Sequence, residues 1–277
     1  MIADPILIQA TRQWGLRDVP FCDDPSHTPF PTPAWETALR QLNQTAALRS
    51  FMLLRGENGV GKSALAAHWL ASLESKAYLP LAITQASLSA TGLMAVLLHK
   101  LGQPSSLHRS RNLASLEKAL HDLGRITPVL VMDDSQNYPP GALEEIRLLL
   151  GLNLTRQPAF ALVLIGDSYL QDTLRLAHHR ALYSRIAACC HLPVLERAQI
   201  EPYLTHGFAQ VGLERPCLAP VAIELLASAS GGVPRQLNIL TRTAWLEAVQ
   251  SGANTIGSEH VRKAFELVPA ACDRVNP

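Results

Sequence analysis

Five short, largely apolar runs punctuate the first two-thirds of the chain: Phe51–Arg55, Tyr78–Thr84, Pro128–Met132, Phe160–Ile165 and Cys190–Leu195. Between them apolar positions recur at helical spacing, over Thr32–Leu48, Ser63–Ser75, Leu88–Leu101, Ala114–Leu123 and Ala142–Leu154. In the first of these, Trp35, Ala38, Leu39, Leu42 and Ala46 share one face. Strands that are apolar throughout and alternate with helices predict a parallel sheet covered on both faces. From about Glu196 the strand-like runs stop. Four helical stretches follow, Ala198–Val211, Pro220–Ser228, Pro234–Ser251 and Ser258–Val268, with Gly212, Gly231-Gly232 and Gly252 as stops. The stretch Gly15–Pro33 holds Pro20, Pro25, Pro29, Pro31 and Pro33. Fixed φ angles and missing N–H donors predict an extended arm or loop there. The expected organisation is an N-terminal arm (1–34), an α/β domain (35–196) with a five-stranded parallel sheet, and a small helical domain (197–277).

Composition narrows the classes. Of the 277 residues, 48% are hydrophobic and 17% charged, which suits a sizeable core and not a disordered chain. The 24 Lys and Arg against 23 Asp and Glu leave a net charge of +1, which excludes a histone-like mode of nucleic-acid binding. Aromatics at 5% do not favour stacking platforms for single strands. Cys22, Cys189, Cys190, Cys217 and Cys272 form no C-x-x-C pair, so no zinc site is expected. The N-terminus shows no secretory signal, and no apolar run approaches the roughly 20 residues of a spanning helix. A soluble, reduced, cytoplasmic protein is expected, with no membrane partner.

Gly56-Glu57-Asn58-Gly59-Val60-Gly61-Lys62-Ser63 fits G-x-x-x-x-G-K-[ST], directly after a predicted strand and opening a predicted helix that continues with Ala64. Glycines let such a backbone curl so that N–H groups face phosphate oxygens, and the helix N-terminus adds positive potential. Lys62 would bind the β- and γ-phosphates of a nucleotide and Ser63 would offer its hydroxyl to Mg²⁺. The alternative is a chance glycine turn before a helix. The run Val129–Met132 ends in Asp133-Asp134. Ligands bind beyond the carboxyl ends of such strands. Asp133 is therefore the candidate metal residue and Asp134 the candidate base or water-orienting group. The bland reading is an aspartate pair capping the turn that follows. His178-His179 reads as helix surface, and Cys189-Cys190 as a strand pair with one member in the core.

With these motifs the sequence resembles an AAA+ ATPase. Trp14–Phe21 is similar to the opening of ExeA-like ATPases, and Asp133-Asp134-Ser135-Gln136-Asn137 to their DEAQ box with Glu and Ala replaced. Leu164-Ile165-Gly166-Asp167 followed by Leu170 resembles a strand end of that family, and Gly231–Asn238 its GG-x-PR-x-x-N motif. The resemblance implies ATP and Mg²⁺ as cofactors. It implies a sensor position at Asp167, an unusual carboxylate there, with Ser168 as a substitute. It implies a nucleotide-contacting arginine at Arg235, in a helical lid. It also implies an arginine reaching the neighbouring subunit's γ-phosphate, for which Arg185 matches best and Arg180 second. Asp134 stands where most hydrolysing relatives carry Glu. Its carboxylate reaches about 1.5 Å less far, which predicts slow hydrolysis, since misplacement on that scale costs on the order of a hundredfold.

Two branches share this module. One is the secretion-associated ExeA type. The other resembles the transposition regulators TniB, IstB and TnsC, soluble ATP-dependent DNA-binding proteins. The shortness of the chain favours the second. Its expected partners are double-stranded DNA, further copies of itself, a transposase and a target-selection protein. Candidate DNA contacts are Lys100, Arg109 and Arg111, with His99, His108, Arg147 and Arg156 nearby. They would hold phosphates without reading sequence. The rival is a secretion or assembly ATPase that remodels a protein partner without DNA.

Overall fold

The computed structural model describes residues 4–22, 27–85, 87–151 and 158–268. Pro25, Arg156, Cys272 and the last turn of the helix expected over 142–154 lie outside these. In chain order the elements are α1 (Pro5–Trp14), α2 (Pro33–Ala47), β1 (Phe51–Arg55), α3 (Lys62–Ser72), β2 (Tyr78–Ile83), α4 (Ala90–Lys100), α5 (Arg109–Asp122) and β3 (Thr127–Met132). They continue with α6 (Pro140–Leu149), β4 (Ala161–Gly166), α7 (Ser168–Arg175), α8 (Arg180–Tyr183), β5 (Ile186–His191), α9 (Arg197–Gln210), α10 (Pro220–Ser230), α11 (Pro234–Gln250) and α12 (Ser258–Leu267). Contacts divide the chain into two units. One comprises residues 31–58 and 62–192; the other comprises residues 1–30, 59–61 and 193–277.

The first unit is an α/β fold. Its five strands are all parallel and run in the order β2-β3-β4-β1-β5. The central strands β3 and β4 are buried at every position, as strands covered on both faces must be. Alternate residues feed two layers. Phe51, Leu53, Leu130, Met132, Leu162 and Leu164 join the cluster under α4 to α8. The intervening residues Met52, Leu54, Val129, Val131, Val163 and Ile165 are equally buried. The helix α2 packs on β1, β4 and β5, and Trp69 Nε1 of α3 donates to Asn43 Oδ1 of α2 at 2.9 Å.

Two elements depart from the sequence pattern. β5 begins and ends four residues earlier than expected, because Pro193 has no N–H for a ladder; the last bond runs from Leu192 N to the Arg55 carbonyl at 2.8 Å. α5 starts at Arg109 rather than Ala114, since its first turn is polar and outside any apolar period.

The second unit is helical. α9 to α12 are joined by α1 and by the chain that follows it. α1 was not expected, yet it has local causes: the Asp4 carboxylate accepts the Ile6 N–H, Pro5 sits in the first turn, and Gly15 stops the helix at φ 70°. The proline-bearing stretch is not free. Trp14 stacks on Phe208 with centroids 6.4 Å apart and meets Trp245 edge-on at 6.4 Å; Phe21 meets Phe208 edge-on at 5.0 Å. Arg242 Nη1 donates to the Phe21 carbonyl at 3.0 Å, and the Arg215 guanidinium lies 5.4 Å above the Trp14 ring. Trp14 and Phe21 therefore both pack within their own chain.

Candidate functional site

β1 and β3 flank β4, so the segments that leave their carboxyl ends emerge at one end of the sheet. Arg55 closes β1, and the Gly56 N–H donates to the Gly166 carbonyl at 3.3 Å, which sets the loop's exit. Gly59 and Gly61 then take φ 91° and 100°, a region open to glycine and costly for other residues. α3 begins at Lys62, the last residue before the exposed Ser63 and Ala64. Lys62 is buried, and its Nζ donates to the carbonyls of Gly56 and Glu57, each at 2.9 Å. Glu57 and Asn58 are exposed, and Val60 is buried.

Within the helical unit, which includes Gly59–Gly61, the Arg235 N–H donates to the Gly59 carbonyl at 3.1 Å. A Cβ at Gly59 would stand 2.8 Å from Arg235 Cβ. Glycine is thus required at 59 twice, by its φ and by this approach.

At the end of β3 the Asp133 N–H donates to the Ile83 carbonyl at 3.0 Å. Asp133 is half-buried, and its Oδ1 accepts the Asp134 N–H at 2.9 Å. Asp134 is exposed and adopts φ 48°, ψ 41°, a left-handed conformation that Asp tolerates better than most residues. A short 3₁₀ turn, Ser135–Asn137, follows, pinned by Ser135 Oγ on the Met132 carbonyl at 2.9 Å. Tyr138 closes the turn. Burial, then the charges of Asp133 and Asp134, push its phenol up to about 12, and its hydroxyl donates to the Gln85 carbonyl at 2.9 Å. Neither Tyr138 nor Gln136 was singled out individually from the sequence; their closeness to the acidic pair was the available signal.

The donor set suits the expected cofactors. A hydroxyl and carboxylates are hard oxygen ligands. Among the described residues no group of three or more His, Cys, Asp or Glu could hold a metal by itself. Mg²⁺ takes such oxygen ligands, one or two from protein together with substrate phosphates.

The remaining candidates are spread more widely. Asp167 ends up as the N-cap of α7, its Oδ1 accepting the Leu170 N–H at 3.2 Å. Capping gives this carboxylate a structural occupation beside the strand end. Arg180 and Arg185 are both exposed. Arg185 makes no ion pair at contact distance among the described residues; its Nη1 donates to the Ala181 carbonyl at 3.5 Å. Lys100 and Arg111 are exposed. Arg109 is paired as well as exposed: its guanidinium grips the buried Glu145 carboxylate at 2.9 to 3.3 Å, and about half of its side chain stays open to solvent, 52%. Arg147 is likewise paired, with Glu144 at 2.6 Å. His179 is corrected. It is 2% exposed, not a surface residue, because the turn Ala177–His179 packs against α6. Cys190 is buried and Cys189 exposed, as the alternation predicts.

Residues 46–174 match the AAA domain family. The AAA domain is a P-loop ATPase domain, and its cofactors are ATP and Mg²⁺. The chain is 31% identical over 216 residues to general secretion pathway protein A of Aeromonas hydrophila, covering 74% of this chain and 38% of that protein. It therefore spans well under half the length of that relative. Two solved structures share the fold. Cdc6p from Pyrobaculum aerophilum superposes with a TM-score of 0.69 at 22% identity, over 88% of this chain and 70% of that one. The Aeropyrum pernix ORC1 protein, solved in complex with DNA, gives 0.66 at 22% identity, over 86% and 66%. No helix among the described residues is long and apolar enough to cross a membrane.

Proposed function

We propose that the chain is a cytoplasmic, ATP-dependent switch of DNA transposition. In this reading ATP lies along Gly56–Ala64, with Lys62 on its terminal phosphates, Ser63 and Asp133 holding Mg²⁺, and Arg235 reaching the nucleotide. Mg²⁺, when bound, supplies charge neutralisation on the phosphates. Asp134 orients the attacking water, Asp167 occupies the sensor position, and Arg185 reaches the γ-phosphate held by a neighbouring copy. ATP then bridges copies into a ring or helical filament on double-stranded DNA. That assembly marks the target for a transposase and a targeting factor. Hydrolysis takes it apart. Lys100, Arg109 and Arg111 contact phosphates, Arg109 through the face that its pair with Glu145 leaves exposed.

The observation that carries the proposal is the pairing of a glycine-rich loop after β1 with an acidic end on β3, the second acid being the shorter Asp134. A short carboxylate favours a long-lived ATP state, so kcat falls well below the ~10 s⁻¹ of a typical enzyme. Support for a DNA partner comes from a fold shared with a protein solved on DNA.

A second reading has its own support, the secretion-pathway relative. Under it the same ATPase remodels a protein partner. Lys62→Ala tests what both readings share: calorimetry should record no nucleotide uptake, and light scattering no nucleotide-dependent assembly. Assembly by the Lys62→Ala chain with ATP overturns the mechanism. Wild-type chain mixed with a non-hydrolysable ATP analogue separates the two readings. Long assemblies only when duplex DNA is present support the first; assemblies indifferent to DNA support the second.

A further inference from the structure

The turn after the acidic pair carries a side chain that the proposed mechanism leaves idle. Gln136 lies two residues beyond Asp134, and its Nε2 donates to Asp134 Oδ1 at 3.3 Å. The other end of the amide is stranger. Gln136 Oε1 is fully enclosed and has no hydrogen-bond partner among the described residues. An unpaired buried amide oxygen has given up water and gained no partner, so its place needs a reason.

The reason lies in the floor beneath it. β4 ends in Gly166, and a Cβ there would stand 2.9 Å from Gln136 Oε1 and 2.6 Å from Leu170 Cδ2. The backbone of Gly166 is not left-handed, so glycine is present for this approach and not for its φ. The amide is thus seated in the space a side chain would fill, with Leu170 of α7 as its wall. One end rests on the strand next to β1 and β3; the other end reaches the carboxylate.

That carboxylate needs support. Asp134 is exposed, sits in a strained left-handed turn, and carries a side chain one methylene shorter than Glu. An exposed carboxylate rotates among several orientations, and catalysis needs one. A neutral amide can select that orientation without cancelling the negative charge, which a lysine or arginine would do.

We propose that Gln136 is a positioning residue for Asp134, an amide strut seated over Gly166 that points the second carboxylate at its water. This inference rests on the reading of Asp134 as the water-orienting group. Charged and titratable groups come to the strut from its own turn, Asp133, Asp134 and Tyr138, and from the α7 side, where Asp167 directly follows Gly166.

The test measures ATP turnover and KM by the full chain, with folding checked by circular dichroism. Gln136→Leu should lower kcat about ten- to a hundredfold and leave KM for ATP within about threefold, the pattern of an interaction made in the transition state. Gln136→Glu should be slow at pH 8 and recover as the pH falls toward 5, because only the protonated carboxyl can donate as the amide does. The wild type should show no such recovery. Gly166→Ala, which lifts the amide off its seat, should match Gln136→Leu. If Gln136→Leu retains wild-type kcat while Asp134→Asn has lost it, the strut is refuted and the role of Asp134 stands. If Asp134→Asn keeps full turnover, the reading underneath fails and the strut falls with it. Should Gln136→Leu not fold, the pH profile of Gln136→Glu decides: recovery in acid supports the strut, and a profile parallel to wild type refutes it.

Discussion

His179 is an imidazole taken out of water with nothing to hold: neither ring nitrogen finds a partner among the described residues. Burial, and then the charge of His178 with its ring 4.0 Å away, lower its pKa, while Glu144 pulls the other way. The folded pKa lies below the unfolded one, so at neutral pH the group is uncharged in both states. As pH falls past about 6.5 the unfolded chain binds a proton that the folded chain refuses, and stability drops. His179→Leu should therefore flatten the fall in Tm between pH 7.5 and 5, read by thermal melts; an unchanged slope would show that the acid response lies elsewhere. None of this was legible in the sequence, where two adjacent histidines in a polar stretch look like surface. The glycine turn between β1 and α3 was legible, because its backbone is set by glycines at fixed spacing within eight consecutive residues. The use of Arg109 was not, since its partner Glu145 lies on another helix and is buried only by the fold.

Helices and strands show the same division. Strands β1, β3 and β4 were legible because full burial leaves an unbroken apolar run. β5 was displaced in the reading because Ile186–His191 mixes exposed and buried small residues at the sheet's edge, whereas Leu192–Leu195 only looks strand-like. Within α9, Gly207 would ordinarily invite replacement, since Ala in mid-helix gains about 0.5–1 kcal/mol. Here a Cβ would sit 2.2 Å from Phe21 Cε1. Gly207→Ala should therefore destabilise by about 1–3 kcal/mol, measured as a lowered urea midpoint; a rise would mean that Phe21 does not pack there. Joining α5 to α6, the Arg109–Glu145 pair makes a related prediction. Arg109→Ala strands a buried carboxylate and should cost about 1–3 kcal/mol in the same assay. Glu145→Gln, which removes the charge and keeps the shape, should cost less.

At the scale of the whole molecule the α/β unit was foreseen from the alternation of strands and helices, and the helices from residue 197 onward from their glycine stops. What the pattern could not reveal is that Ala10, Trp14, Leu16, Val19 and Phe21 share a core with α9 to α12, because prolines and scattered aromatics have no period. Trp14→Ala should cost about 3–5 kcal/mol and lower the melting temperature of the helical signal; a cost under 1 kcal/mol would refute the shared core. The arrangement also has a consequence in time. Trp14 leaves the ribosome about 190 residues before Ile200 and Leu204, which at ordinary synthesis speeds is on the order of ten to forty seconds. For that interval the indole that will lie between Phe208 and Trp245 is bare, and the newborn chain depends on whatever shelters an unpaired aromatic until its other half has been made.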